Sequence, residues 1–255
     1  MLASALLGAR EPRLPVADLV AAASLFGVSA GAARTCLWRM VANGELTTDN
    51  ATYALAGHLL ERRRRVDEVA HVDLGAPGRW AGTWELAVVA ADRRDAIDRV
   101  ELRKAAAALH LAEIRAGVWT RPDNLDPDRL PASRAVIDEQ CVQFQGAASS
   151  LTADTARSLF LVDVWSNDAR RLIVAMDDEL DVVPAGSHLS GALTYQFSLS
   201  IAVVRHLQLD PLLPAALLPE AWPARTLRNT YRRFEAAFQR QLSRAGHEPS
   251  LKRRT

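Results

Sequence analysis

The chain has 255 residues, with 31 lysines and arginines against 30 aspartates and glutamates, a net charge of +1. Near-neutrality excludes attachment to nucleic acid by bulk charge, so any such binding has to come from a local patch. A composition of 49% hydrophobic and 24% charged residues excludes disordered, collagen-like and coiled-coil classes and suffices for two or three modest domains, each with its own core.

In chain order, Met1 to Leu7 lacks a basic start and is too short for a signal peptide. Leu14–Phe26 carries Leu14, Leu19, Val20, Leu25 and Phe26 at the spacing of a short amphipathic helix. Ser29 is a suitable N-cap for a second helix running to about Ala42, with Ala33, Leu37, Met40 and Val41 on its inward face and Gly44 ending it. Glu45–Thr48, a turn at Asp49-Asn50 and Ala51–Leu55 predict a small hairpin. Gly57–Val69 predicts an Arg-rich helix leading away, and Gly75–Gly78 a linker turn.

From about residue 79 the period changes. Thr83–Ala90 and Ile114–Thr120 predict strands on either side of a helix over Asp92–Leu109, and Glu139–Phe144 predicts a third strand. Strand, helix, strand in this order implies a small ferredoxin-like sandwich. The remainder predicts helices over Ala153–Val164, from Asn167 or Asp168 to Leu180, and over Ser190–Leu207. After the prolines at 211, 214, 219 and 223 comes a last helix, Ala224–Arg244, with Leu227, Tyr231, Phe234, Phe238 and Leu242 on one stripe. Val182 to Val204 carries no Asp, Glu, Lys or Arg, yet Pro184, His188 and Gln196 make it too polar for a membrane span. The expected class is α+β and multi-domain: a winged helix-turn-helix over 1–60, a linker helix over 61–78, a central ferredoxin-like domain over 79–150 and a helical domain over 151–255.

Cys36 and Cys141 form neither a disulfide framework nor a zinc signature, as suits a cytoplasmic protein. The six histidines have no metal-ligand spacing, and no Ser-His-Asp set, phosphate loop or paired carboxylates stand out. No metal and no cofactor is expected, and the chain reads as a non-enzyme.

Two helices followed by a small hairpin is the order of a winged helix, whose second helix protrudes and fits the major groove. The outward face of that helix carries Gly31, Arg34, Thr35 and Trp38, with Arg39 at its edge and Ser29 at its start. The Arg34 fork can take two acceptors on one guanine, Thr35 can meet a thymine methyl or a phosphate, and Arg39 can neutralise a phosphate. Trp38 reads equally as a core or interface aromatic.

Four phrases extend this. Val28–Leu46 (VSAGAARTCLWRMVANGEL), Arg79–Val89 (RWAGTWELAVV), Ala116–Pro122 (AGVWTRP) and Asp210–Trp222 (DPLLPAALLPEAW), followed by Pro223, resemble the PaaX-like repressors, regulators of phenylacetic acid degradation. The resemblance runs over nearly the whole chain, and the proline-spaced phrase is its most specific part. It implies a winged helix, a ferredoxin-like (Cas2-like) centre and a helical C-terminal domain. It further implies a homodimeric repressor of a double-stranded operator, released by an aryl- or acyl-CoA effector. Carried over by position, Arg34, Thr35 and Arg39 lie on the recognition helix, and Arg62 and Arg63 open the basic linker helix. The hairpin Thr47–Thr52 departs from the family by lacking any basic residue and including Asp49.

Residues 1–70 hold eight basic and seven acidic side chains, so pairing of two copies is needed to double the phosphate contacts. An effector pocket is expected where domains meet, with Trp80, Trp84, Trp119, Trp165 and Trp222 as lining and Arg79, Arg103, Arg121 or Arg225 for a CoA phosphate. Two alternatives stand beside the regulator. One is a Cas2-like nuclease holding Mg²⁺ on Asp92, a residue that otherwise caps the following helix. The other is an interaction module without DNA binding, using the basic helix after Arg225, where nine basic residues face Glu235 and Glu248.

Overall fold

The computed structural model describes residues 2–3, 6, 12–60, 63, 80–90, 94–181 and 189–247. In chain order its elements are β1 (Arg13–Pro15), α1 (Val16–Leu25), α2 (Ala30–Ala42), β2 (Leu46–Asp49), β3 (Thr52–Leu55), β4 (Thr83–Val89), α3 (Ala96–Ala108), β5 (Ala112–Arg115), β6 (Val118–Pro122), α4 (Pro131–Gln140), β7 (Cys141–Ala147), α5 (Ala153–Leu159), α6 (Val162–Asp181), α7 (Leu189–Gln208), a 3-10 turn (Ala215–Leu217) and α8 (Ala224–His247). This is a mixed α+β chain with two antiparallel sheets. No described helix is long and apolar enough to cross a membrane. The chain divides into two compact units, one of Met1–Val72, Asp168–Leu209 and Pro223–Thr255, the other of Asp73–Asn167 and Asp210–Trp222. The residues expected as one C-terminal domain, 151–255, are shared between them.

In the first unit, the helix expected from Leu14 begins at Val16, because Arg13–Pro15 is extended and pairs with β3. Pro15 is the cause: the residue before a proline is driven out of the helical region. Both α1 and α2 end in a glycine at φ +72, Gly27 and Gly44. Val28 N–H donates to Ala23 O at 3.0 Å and Glu45 N–H to Met40 O at 2.9 Å, which satisfies carbonyls the helices leave open. The β2–β3 turn falls on Asn50-Ala51 (φ 45 and 62), one residue later than the expected Asp49-Asn50. Two residues at positive φ make it the hairpin turn that matches strand twist. At Gly57 a Cβ would lie 2.7 Å from the Gly44 carbonyl, so this approach admits only glycine.

Leu19, Ala23, Ala33 and Leu37 are wholly buried and form one core with Leu2, Leu6, Leu46, Leu55 and Leu59. On α8 the expected stripe is inside: Leu227, Tyr231, Phe234 and Phe238 are all buried. The Phe197 ring of α7 links the two sets, 4.9 Å from Phe26 and 6.4 Å from Phe238. Between α7 and α8, Ser200 Oγ donates to Glu235 at 3.1 Å and lies 3.2 Å from the Tyr231 hydroxyl. Burial, then the Glu235 charge, hold the Tyr231 phenol above its ordinary range.

The second unit is built on a four-stranded sheet in the order β5-β6-β4-β7. The single strand expected over Ile114–Thr120 is two strands, folded back at Ala116-Gly117 with Gly117 at φ +77. Glu113 Oε1 accepts from the Gly117 N–H at 3.0 Å and pins that turn. Strand β7 runs Cys141–Ala147, later than the expected Glu139–Phe144, because α4 occupies the chain up to Gln140. Helix α4 carries Pro131 at its first position, directly after left-handed Leu130. Helix α3 begins at a capping box on Asp95, whose carboxylate accepts from Ile97 and Asp98 N–H at 2.7 and 2.9 Å. That is three residues past the expected cap, Asp92, which lies outside the described residues.

The helix expected over Ala153–Val164 breaks at Leu161 (φ +52), and the next starts at Val162 rather than at Asn167 or Asp168. The break leaves Leu161 in solvent and buries Val162 and Trp165. One sheet face is covered by α3 and α4 through Ala87, Leu102, Ala105, Ala106, Leu109 and Ile137. On the other, Trp84 packs with Ala156, Val162, Leu213 and Leu217.

Candidate functional site

Helix α2 is fixed from beneath and open above. The Ser29 hydroxyl accepts from Ala32 N–H at 3.2 Å and starts the helix, as its sequence position predicts. Ala33 and Leu37 are fully buried, one turn apart, and Met40 and Val41 pack half-buried against the same core. Everything this stripe does not use faces outward: Gly31, Arg34, Thr35, Cys36, Trp38 and Arg39 are exposed. Trp38 is 69% exposed. Arg34 and Trp38 are four residues apart, hence neighbours on one face. The fold thus brings Arg34, Thr35, Trp38 and Arg39 together on a single surface. An indole left in water on the rim of an otherwise packed helix marks an interaction surface rather than a core position.

The hairpin beside it is also solvated, with Thr47, Thr48, Asp49 and Asn50 exposed. It offers hydroxyl and amide donors but no cation. A search for basic residues in the sequence passes over such donors, although neutral hydroxyls contact phosphates as well. Arg63 does not join the α2 face. It is half-buried, and its Nη1 donates to the Leu6 carbonyl at 3.5 Å. Arg62 lies outside the described residues.

The second unit contains a cationic site of the opposite kind. Arg121 on β6 is completely buried. Its Nη1 donates to Leu109 O at 2.8 Å and its Nε to Pro122 O at 3.1 Å. Its Nη2 reaches Asn124 Oδ1 at 2.9 Å and Leu212 O at 3.3 Å. Glu85, 3.4 Å from Nε, supplies the countercharge and is itself gripped by Arg134 at 2.6 Å. Burial draws the Arg121 guanidinium down to about 9, opposed chiefly by Glu85, so it stays charged at neutral pH.

Asn124 Nδ2 donates to the same Leu212 carbonyl at 3.0 Å, and Asp210 Oδ1 accepts from Leu212 N–H at 3.0 Å. Leu212 is held at φ +50 by this clasp. The proline-spaced phrase and the AGVWTRP phrase are therefore two halves of one buried lock. Arg121, expected as a candidate for an effector's phosphate, is consumed by it. Arg103 and Arg225 are exposed, and Arg79 lies outside the described residues.

The five tryptophans expected to line a pocket all belong to the second unit. Trp84 and Trp80 meet edge to face at 5.7 Å, and Trp165 stacks on Trp222 at 4.4 Å. Trp119 joins the cluster under the helices. Their rings serve as core, although the indole N–H groups of Trp119 and Trp222 are buried without a hydrogen-bond partner among the described residues. His110 sits at the foot of the lock, at φ +55. Burial first, then the charges of Arg121 and Arg129, lower its imidazole to about 3. Among the described residues no group of three His, Cys, Asp or Glu side chains is placed to hold a metal ion.

A family model described as PaaX-like protein matches residues 2–59, the segment that contains α2 and its hairpin. No curated protein matches the chain. Among solved structures, the uncharacterized protein Rv0674 from Mycobacterium tuberculosis is similar at 32% identity over 95% of each chain, with a TM-score of 0.69. A solved relative of that identity and span, together with the match over the segment bearing the exposed helix, makes this chain a member of the PaaX-like protein family.

Proposed function

We propose that this chain is a transcriptional regulator that binds a double-stranded operator as a homodimer and reads it with α2. One observation carries the reading: α2 is anchored by a wholly buried Ala33–Leu37 stripe while Arg34, Thr35, Trp38 and Arg39 share one exposed surface. That is the arrangement a recognition helix needs, rigid on the protein side and unencumbered on the groove side. Membership of the PaaX-like family supports transcription regulation as the setting. The β1-β3-β2 sheet beside the helix pair supports a winged helix-turn-helix. The order β5-β6-β4-β7 with α3 and α4 on one face supports a ferredoxin-like centre.

In this reading Arg34 takes two acceptors on a guanine and Arg39 neutralises a phosphate. Trp38 lays its apolar ring on a thymine methyl or a sugar. Ser29 holds the helix N-terminus, and the exposed backbone N–H of Gly31 lies in the first turn, where phosphate is favoured. The hairpin adds Thr47 and Thr48 as neutral donors. Repression, release by an aryl- or acyl-CoA thioester, and a cytoplasmic setting complete the proposal. No catalytic role is assigned. Selection of bound fragments from a random DNA pool, followed by mobility-shift titration, tests it. Enrichment of a two-fold symmetric sequence is expected, and a pool that stays random overturns it.

A further inference from the structure

The two edges of the four-stranded sheet differ. Strand β5 is defended: it has four residues, Glu113 and Arg115 among them, and a register irregularity between those two. Charges and bulges are the usual devices that stop a sheet edge from pairing with another chain. Strand β7 has none of them. Its seven residues, CVQFQGA, include no charge and no proline, and its pairing with β4 is in register from Cys141 to Ala147. Val142 to Ala147 are all exposed, with Val142 at 49% and Phe144 at 55%. Among the described residues nothing pairs with its outer side.

The hydrogen-bond directions identify which groups face outward. Ala90 N–H donates to Gln140 O, whereas Val89 N–H donates to Gly117 O on the β6 side. Antiparallel ladders alternate inward and outward residues. Residues 142, 144 and 146 therefore turn their backbone groups to β4, and Cys141, Gln143, Gln145 and Ala147 present theirs to solvent.

We propose that β7 is the dimerisation edge, pairing antiparallel with β7 of a second copy about a two-fold axis at Phe144. A strand paired with its own copy in this way must be centred on one residue, and Phe144 is the centre that uses the whole strand. Cys141 then meets Ala147 of the partner subunit and Gln143 meets Gln145 of the partner subunit, through the outward groups. Phe144 faces its own copy as a non-hydrogen-bonded pair, the closest kind, where aromatic side chains stabilise each other. The two sheets become one continuous sheet. The occupant is a second copy rather than another protein, because the strand is complementary to itself about its own midpoint. This deepens the operator-binding reading by naming where its dimer forms.

The test reads solution mass without DNA, so its failure is distinct from failure of DNA binding. Sedimentation of the full chain is expected to give twice the 27.9 kDa chain mass. Gln145→Pro removes an outward N–H while leaving the β4 ladder intact, and Phe144→Lys sets two like charges across the axis. Each is expected to weaken dimerisation at least tenfold with the far-ultraviolet circular dichroism unchanged. Phe144→Cys, which keeps the edge uncharged, is expected to crosslink to its own copy on mild oxidation, and Val142→Cys is not. A monomeric wild-type chain overturns the proposal. So does a dimer that survives both disruptive variants, or a Phe144→Cys dimer whose introduced thiols do not couple.

Discussion

Arg34 and Arg121 are both arginines in the phrases that carry the family resemblance, and the fold uses them in opposite ways. Arg34 stands on α2 in solvent, on a helix whose own stability comes from the stripe beneath it. Arg121 is enclosed, with its donors spent on Leu109, Pro122, Asn124 and Leu212 and its charge matched by Glu85. The difference separates two reasons for a signature residue. One kind holds the chain's own segments together, and its removal is read as lost stability. The other contributes nothing to the core and is kept out for a partner, so its removal is read only when the partner is present.

Substitutions can break that division. Arg121→Ala leaves Glu85 without its cross-strand partner and two buried carbonyls without donors, so a loss of about 3–5 kcal/mol of stability is expected in urea unfolding. A loss below about 1 kcal/mol would put Arg121 in the same class as a surface charge. Leu37→Ala, beneath the α2 face, should cost about 2–5 kcal/mol of stability through the cavity it leaves. Arg34→Ala should cost about 1–3 kcal/mol of operator affinity and relax one base position. Its unfolding midpoint should stay where it is.

Acid sharpens the picture of the lock. With its folded pKa held near 3, His110 is neutral in the native state but takes up a proton on unfolding once pH drops below about 6.5. The unfolded chain then binds more protons, so stability present above about pH 6.5 is lost as pH falls toward 3, with a slope approaching about 1.4 kcal/mol per unit. His110→Asn, which tolerates the positive φ, should remove that part of the slope. The smallest expected effect is a gain: Ala51→Gly in the hairpin turn should stabilise by about 0.5–1 kcal/mol, since glycine accepts φ +62 without the strain alanine carries.

The candidate face was legible in the sequence because it rests on local rules. A serine cap, an i, i+4 apolar stripe and a terminating glycine fix both the ends of α2 and the direction of each side chain. The α8 stripe of Leu227, Tyr231, Phe234 and Phe238 was legible for the same reason. What escaped depends on partners far along the chain or on single backbone angles. Strand β1 exists because β3 pairs with it. The split of β5 from β6 rests on Gly117, and the start of α6 on left-handed Leu161. The lock of Arg121 and Asn124 on Leu212 joins residues some ninety positions apart, which no periodicity reveals. Arg63 looked like part of a basic surface run, and its half-buried contact with Leu6 came from tertiary packing alone.

The most direct test of the account compares wild type and Arg34→Ala by mobility shift on DNA selected from a random pool, across a series of salt concentrations. The account predicts tight wild-type binding that weakens steeply with salt, and a variant that binds the selected site ten- to a hundredfold less well, or about 1–3 kcal/mol, while keeping its fold. Equal binding of selected and random DNA by both proteins would contradict it.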